Sequence, residues 1–308
     1  MRDPIFIAGP TAGGKSALAL LVARQLDGEI ISADSMQVYR GLDIGTAKPS
    51  TQERQQVPHH LVDILEPDEN FDAAQFLRLA RAAEADIQSR GRLPIYCGGT
   101  GLFFKALVAG VGEAPPGDQR LRDELEAIPL PKLLDELSAL DPVLFATIDR
   151  SNVRRVIRAM EVIRLSGKPY SELRSNWSDA EQKGFWFGLE RERSELKERI
   201  DRRVEGMFAA GLVHETRELL KRRLWHNRTA MQAIGYRQVV EHLRGVRSLE
   251  ETVELVKLKT RQYAKRQMTW FRHQLRLHWL KSSGESMEPV AAQIYDRLRI
   301  HQVELAQT

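Results

Sequence analysis

Gly9-Pro10-Thr11-Ala12-Gly13-Gly14-Lys15-Ser16 fits the G-x-x-x-x-G-K-[ST] pattern of a phosphate-binding loop. The glycines let successive backbone N–H groups turn inward around phosphate oxygens, and a following helix adds the positive end of its dipole. Lys15 neutralises charge, and Ser16 can ligate a magnesium ion. The implied ligand is a diphosphate or polyphosphate. Such a loop does not name a reaction, because kinases, ATPases, GTPases and some transferases share it. Asp34, closing the apolar run Glu29–Ser32, is the second reactive candidate: an acid there can ligate magnesium, accept a proton or cap the next helix.

These residues need a scaffold. Ile5–Ala8 reads as a strand that stops at Gly9-Pro10, and helical spacing of apolar residues follows from Ala17 to Leu26. Glu29–Ser32 and Leu93–Cys97 are further strands, the latter ending at Gly98-Gly99. Between them Asp72–Arg90 has the pattern of an amphipathic helix stopped by Gly91. Strands alternating with helices imply an α/β fold: a P-loop NTPase-like parallel sheet covered on both faces. Strand C-termini then share one crevice, which puts Asp34 beside the phosphates. The Pro- and Gly-rich stretch Gly112–Gly117 marks a break. Residues 1–115 and 183–308 are read as the catalytic core with C-terminal helices, and 116–182 as an insertion. From 118 to about 180 it looks helical and carries Arg150, Arg154, Arg155, Arg158 and Arg164. Phe185–Leu189 returns to the sheet, and helices dominate from Arg191, including a long one opened by the capping box Ser248-x-x-Glu251.

Composition sets the wider bounds. At 308 residues, 42% hydrophobic and 29% charged, the chain is neither disordered nor fibrous. Its net charge of +4 conceals an asymmetry: Arg191 to Lys281 holds 22 basic and 11 acidic residues, leaving the remainder at −7. From Leu255 to Lys281 there are eight Lys or Arg and no acid, with Tyr263, Trp270, Phe271 and Trp279 interleaved. Cations grip phosphates and aromatics stack on unpaired bases, so this segment suits a single-stranded RNA loop. At least two of Tyr263, Trp270 and Phe271 are nevertheless expected in a helix core. Gln37 and Gln232 are amides able to read base edges, although amides that satisfy buried backbone are about as common.

The single cysteine, Cys97, excludes an intramolecular disulfide and any multi-Cys zinc site and fits a reducing compartment, with the cytoplasm as default. Met1–Pro4 lacks the features of a signal peptide, and no stretch approaches the ~18 apolar residues of a membrane span, so no membrane partner is expected. His59 and His60, adjacent in an extended segment, point to opposite faces and make no shared metal site.

The run Asp34-Ser35-Met36-Gln37-Val38-Tyr39-Arg40-Gly41-Leu42-Asp43-Ile44-Gly45-Thr46-Ala47-Lys48-Pro49 resembles the second signature of the tRNA dimethylallyltransferases, also called tRNA isopentenyltransferases. Pro58–Asp63, Gly98–Leu102, Arg154–Val162, Gln232–Arg237 and Tyr263–Arg272 look like that family's other blocks, in its order and over almost the whole chain. The absence of a C-terminal zinc finger matches the compact bacterial form. Two departures stand out: Gly13 where the family commonly has serine, and Phe103 where tyrosine is usual.

The resemblance implies transfer of a dimethylallyl group from dimethylallyl diphosphate to N6 of the adenosine 3′ of the tRNA anticodon, releasing diphosphate with Mg2+ as cofactor. It implies Asp34 as proton acceptor, and Thr11 and Arg203 at the departing diphosphate. Around Arg203, spacing alone does not separate it from Arg199 and Arg202. For tRNA contact the resemblance implies Asp34, Ser35, Met36, Gln37, Thr100, Arg122, Arg158, Ala159, Met160, Glu161 and Val162. It adds Gln232, Ala233, Ile234, Gly235, Tyr236 and Arg237, and the basic block contributes Lys265 and Arg266. A monomer acting on the anticodon stem-loop is expected. A small-molecule or nucleotide kinase would also use Lys15, Ser16 and Asp34 but gives no role to Gln232–Arg237. A non-catalytic RNA-binding protein would not need the three intact.

Overall fold

The computed structural model describes residues 2–174 and 181–306. Met1 and residues 175–180, where the helical reading of the insertion ends, lie outside the described residues. Two compact units result, residues 1–108 with 182–308, and residues 109–181. The insertion thus begins seven residues before the expected boundary, at the end of a helix and not at the prolines.

The larger unit runs β1 (Ile5–Ala8), α1 (Lys15–Leu26), β2 (Gly28–Ser32), α2 (Thr51–Gln56), β3 (His59–His60), α3 (Ala73–Ser89), β4 (Leu93–Gly98) and α4 (Gly101–Ala109). The insertion holds α5 (Gln119–Glu126), α6 (Leu130–Leu140), α7 (Pro142–Thr147), α8 (Val153–Ser166) and α9 (Tyr170–Leu173). The chain then returns through β5 (Phe185–Arg191), α10 (Arg193–Ala209), α11 (Leu212–Lys221), α12 (Tyr236–Leu243), α13 (Leu249–Gln274), β6 (His278–Ser282) and α14 (Glu288–Ala306).

The strands form one sheet in the order β3-β2-β4-β1-β5-β6, and every pairing is parallel. Side chains alternate across the pleat, so each strand feeds two cores. Phe6, Ile31, Tyr96 and Trp186 enter one with Phe76, Phe104 and Phe271. Ile5, Ile7, Ile30, Ile95 and Phe187 enter the other with Leu18 and Val22 of α1 and Val290 and Ile294 of α14. Phe6 lies stacked between Tyr96 and Trp186, at centroid distances of 4.8 and 3.8 Å. Phe103 is buried and stacks on Phe76 at 4.0 Å, a position where a phenol would need a polar partner.

Edge strand β6 escaped sequence reading: exposed His278 and Lys281, half-buried Trp279 and buried Leu280 and Ser282 do not alternate cleanly, and the stretch reads as charge and aromatics. The capping box at Ser248 is present, with Glu251 N–H donating to Ser248 Oγ and Ser248 N–H to Glu251. The insertion has its own core of Leu125, Leu133, Leu137, Leu144, Val156 and Met160.

Candidate active site

Parallel strands bring β1, β2 and β4 to one edge, and the loops leaving them build the site. After β1 the chain turns at Gly9 (φ +153°), Ala12 (φ +59°) and Gly14 (φ +101°) before α1 begins. A Cβ on Gly9 would lie 2.7 Å from Leu189 O, so only glycine fits. No side chain caps the N-terminus of α1, which leaves its first amides to an anion. Lys15 Nζ donates to Pro10 O at 2.6 Å, folding its ammonium over the loop.

Asp34 follows β2. Its Oδ1 accepts from Met36 N at 2.8 Å and Gln37 N at 3.4 Å, an Asx turn that fixes the carboxylate. After β4, Thr100 Oγ1 accepts from Ser35 N at 3.1 Å, joining the second and fourth strand ends. A Cβ on Gly98 would stand 2.1 Å from Ala33 O, and this close crossing is why the turn needs glycine. Gln37 is turned inward: its Oε1 accepts from Ser32 Oγ at 3.0 Å.

One cavity of about 680 Å³, open to solvent, is lined by Thr11, Lys15, Ser16, Asp34 and Arg203. Tyr263 and Gln267 of α13 form part of its wall. Arg203 comes from α10, and here the structure separates three neighbours that sequence spacing could not. Arg199 donates to Ala12 O at 3.1 Å and pairs with Glu285, and Arg202 pairs with the same Glu285 at 3.3 Å. Among the described residues no carboxylate lies within ion-pair distance of Arg203. Its guanidinium faces the cavity, with the more distant Asp34 charge favouring it.

The electrostatics follow from this crowding. Burial lowers the Lys15 ammonium from its usual value to about 8, the cation of Arg203 pushes the same way, and Asp34 opposes it. Burial lowers the pKa of Arg203 as well. Burial raises the Cys97 thiol beneath Lys15 to about 11, so it is a neutral wall residue. Burial and the Asp34 charge raise the Tyr263 phenol. Two buried cations that make no ion pair among the described residues mark a site shaped for a negatively charged ligand.

The paired histidines diverge as expected. His60 Nε2 lies 2.7 Å from Glu29 Oε2, in a carboxylate cluster with Arg90 and Arg92 that holds Glu29 down at about 2. His59 turns to Val57 O at 2.8 Å and lines the cavity.

The remaining expected contacts fall into groups. Lys265 and Arg266 are exposed on α13. Trp270 packs half-buried against the core and Phe271 is fully inside it, so both act as core residues. Gln232 Oε1 accepts from Arg237 Nη1 at 3.1 Å, while Ile234 is half-buried and Gly235 takes φ +100°. Ala233 and Tyr236 are buried: Tyr236 OH donates to Glu215 at 2.6 Å and accepts from Gly45 N at 3.1 Å. Its side chain locks the loop after β2 and faces no solvent.

In the insertion, the side chains of Ala159, Met160 and Val162 are packed inside, and buried Glu161 receives Arg122 at 2.8 Å and Arg158 at 2.6 Å. Those four side chains are buried. Arg122 and Arg158 are half-buried and paired with the Glu161 carboxylate, whereas Arg120, Arg150, Arg154 and Arg155 of the same unit are exposed.

No residue set of the metal-cage kind exists: among the described residues no group of three or more His, Cys, Asp or Glu converges. The Ser16 hydroxyl and the single carboxylate of Asp34 in one cavity do fit a magnesium ion, which takes few protein ligands and completes its shell with substrate phosphates and water.

Fold and cavity define an α/β protein of the phosphate-loop class whose anion site is walled by C-terminal helices. The IPP transferase family model matches residues 37–274, and the isopentenyl transferase model matches residues 4–69; the chain belongs to the IPP transferase family. It is 46% identical over 282 residues to tRNA dimethylallyltransferase 1 of Citrifermentans bemidjiense, covering 91% of this chain and 92% of that one. To tRNA dimethylallyltransferase of Geobacter metallireducens it is 46% identical over 287 residues, covering 91% and 93%. Among solved structures, the tRNA isopentenylpyrophosphate transferase of Bacillus halodurans superposes with a TM-score of 0.73 at 38% identity over the whole of both chains. A eukaryotic dimethylallyltransferase acting on tRNA superposes at 0.79 with 26% identity, covering 96% of this chain and 78% of that one. No helix among the described residues is long and apolar enough to cross a membrane.

Proposed function

We propose that this protein is a tRNA dimethylallyltransferase that moves the dimethylallyl group of dimethylallyl diphosphate onto N6 of the adenosine 3′ of the anticodon. The observation that carries the reading is the convergence of Thr11, Lys15, Arg203 and Asp34 on one cavity. The amides left free at the start of α1, the Lys15 ammonium and the Arg203 guanidinium bind the diphosphate. Their pull grows as the C1–O bond breaks and charge gathers on the leaving oxygen, so they favour the transition state over the ground state. A bound magnesium ion would be held by the Ser16 hydroxyl and would supply further neutralisation of that charge.

The adenine amine is a poor nucleophile because its lone pair is delocalised into the ring. It attacks C1, the N6–C1 bond forms, and one N6 proton passes to the carboxylate of Asp34. Diphosphate leaves with the electrons of the broken bond. The Asx turn engages Oδ1, which assigns the proton to Oδ2. The target adenosine must leave its stack to reach this crevice, and the cytoplasm, where tRNA is found, is the place of action. With tRNA, magnesium and donor the protein is expected to release one diphosphate per modified tRNA. ATP hydrolysis with tRNA untouched would establish the kinase reading instead.

The RNA is gripped by the C-terminal helices. Several cations there are already paired, Arg261 with Asp201 at 2.9 Å and Lys257 with Glu205 at 2.7 Å, and Lys265 and Arg266 belong to the exposed cations that make no ion pair among the described residues, available to phosphates. Changing both to Ala is expected to weaken tRNA binding about 10-fold at low salt and to flatten the slope of log K against log salt by about 2. Filter binding across a salt series reads both; unchanged affinity and slope would return the pair to a solvated surface.

A further inference from the structure

Gln267 stands in the middle of the basic block yet is turned away from solvent, 6% exposed. On α13 it shares a face with Ala264 and Phe271, at i, i+3 and i+7 of the helix, and both of those are buried. An amide on a buried face requires partners, and Gln267 has two that belong to different strand ends. Its Oε1 accepts the Thr11 N–H at 2.8 Å. Its Nε2 donates to Gly99 O at 2.8 Å. The fit is close enough that a Cβ on Gly99 would sit 2.2 Å from Nε2, so the glycine-rich turn after β4 leaves room for this one side chain. Tyr263, one turn earlier, lines the same cavity wall.

The consequence concerns Thr11. Its amide is committed to α13, so the residue cannot rotate to offer that N–H to phosphate, and its side chain stays at the cavity wall. The other flank of the loop is fixed by Arg199 on Ala12 O at 3.1 Å. We propose that Gln267 is the positioning residue of the phosphate loop: its amide bridges Thr11 and Gly99, sets where Thr11 stands against the diphosphate, and makes α13 part of the donor site as well as of the RNA surface. This rests on the proposed use of the loop for an allylic diphosphate.

The orientation of the amide gives a specific test. Gln267→Leu keeps the volume and removes both hydrogen bonds. Gln267→Glu can serve both partners only while protonated, because an ionised carboxylate would face the Gly99 carbonyl oxygen. Three quantities are measured on the full-length protein: steady-state transfer with dimethylallyl diphosphate, inhibition by inorganic diphosphate, and tRNA affinity. For Gln267→Leu, a 10- to 100-fold loss in kcat/KM for the donor is expected, with a matching weakening of inorganic diphosphate and tRNA affinity within about twofold. For Gln267→Glu, the activity relative to wild type at the same pH should rise as pH falls, which a purely structural role would not produce. Equal donor kinetics in Gln267→Leu, a loss confined to tRNA affinity, or a pH-independent ratio for Gln267→Glu would overturn the inference. If wild type itself neither binds inorganic diphosphate nor transfers the group, the donor-site reading fails, and the positioning role with it.

Discussion

Asp34→Asn is expected to lower turnover by about 100- to 10,000-fold, the range for loss of a positioned general base, while tRNA affinity stays within about twofold. Asparagine is the informative replacement because its side-chain oxygen can still accept from the Met36 amide, the 2.8 Å contact that holds the turn. What disappears is the ability to take the N6 proton. The substitution has a second signature. The negative charge of Asp34 supports the Lys15 cation, against the burial and the Arg203 charge that lower it to about 8. Without that charge Lys15 loses its proton at still lower pH. The alkaline limb of kcat/KM for the donor, which reports the free enzyme, should therefore move down. A defect seen only in tRNA binding would exclude the proton-acceptor role.

Arg203→Ala is expected to cost about 100- to 1,000-fold in kcat/KM for the donor, the magnitude seen when one preorganised donor to a developing anion is removed. Lysine there should recover only part, since it replaces a planar fork of donors with a point charge. Arg199→Ala and Arg202→Ala should cost less, because both side chains already answer to Glu285. The pH signature is opposite to that of Asp34. The Arg203 charge helps to lower Lys15, so its removal raises the lysine and should push the alkaline limb above that of wild type. Limbs that shift in opposite directions would show that the three groups share one electrostatic site. A shared direction would mean they do not.

Much of this was legible in the sequence because it depends on local rules. The phosphate loop, the strand–helix alternation and the Ser248 capping box each follow from residues close together in the chain. Asp34 was placed correctly at the crevice because strand ends in a parallel sheet converge. What the sequence could not separate needed long-range geometry. Arg199, Arg202 and Arg203 are told apart by partners far along the chain: Glu285, more than 80 residues later, takes the first two, and Ala12 O takes Arg199 as well. The Tyr236 hydroxyl is enclosed by Glu215 and the amide of Gly45, partners 21 and 191 residues away in the chain. Gln267 was passed over inside a run read for charge. The helical spacing that makes it share a face with Ala264 and Phe271 was available as a signal. In the insertion, the block 158–162 carries the resemblance, yet four of its five side chains are internal.

The central claim is best tested by mass analysis of the nucleosides of tRNA after incubation with this protein, magnesium and dimethylallyl diphosphate. The account predicts one adenosine per tRNA, next to the anticodon, carrying an added five-carbon unit on N6, and none when donor is omitted. Unmodified adenosine in the presence of a folded protein, bound tRNA and donor would contradict it.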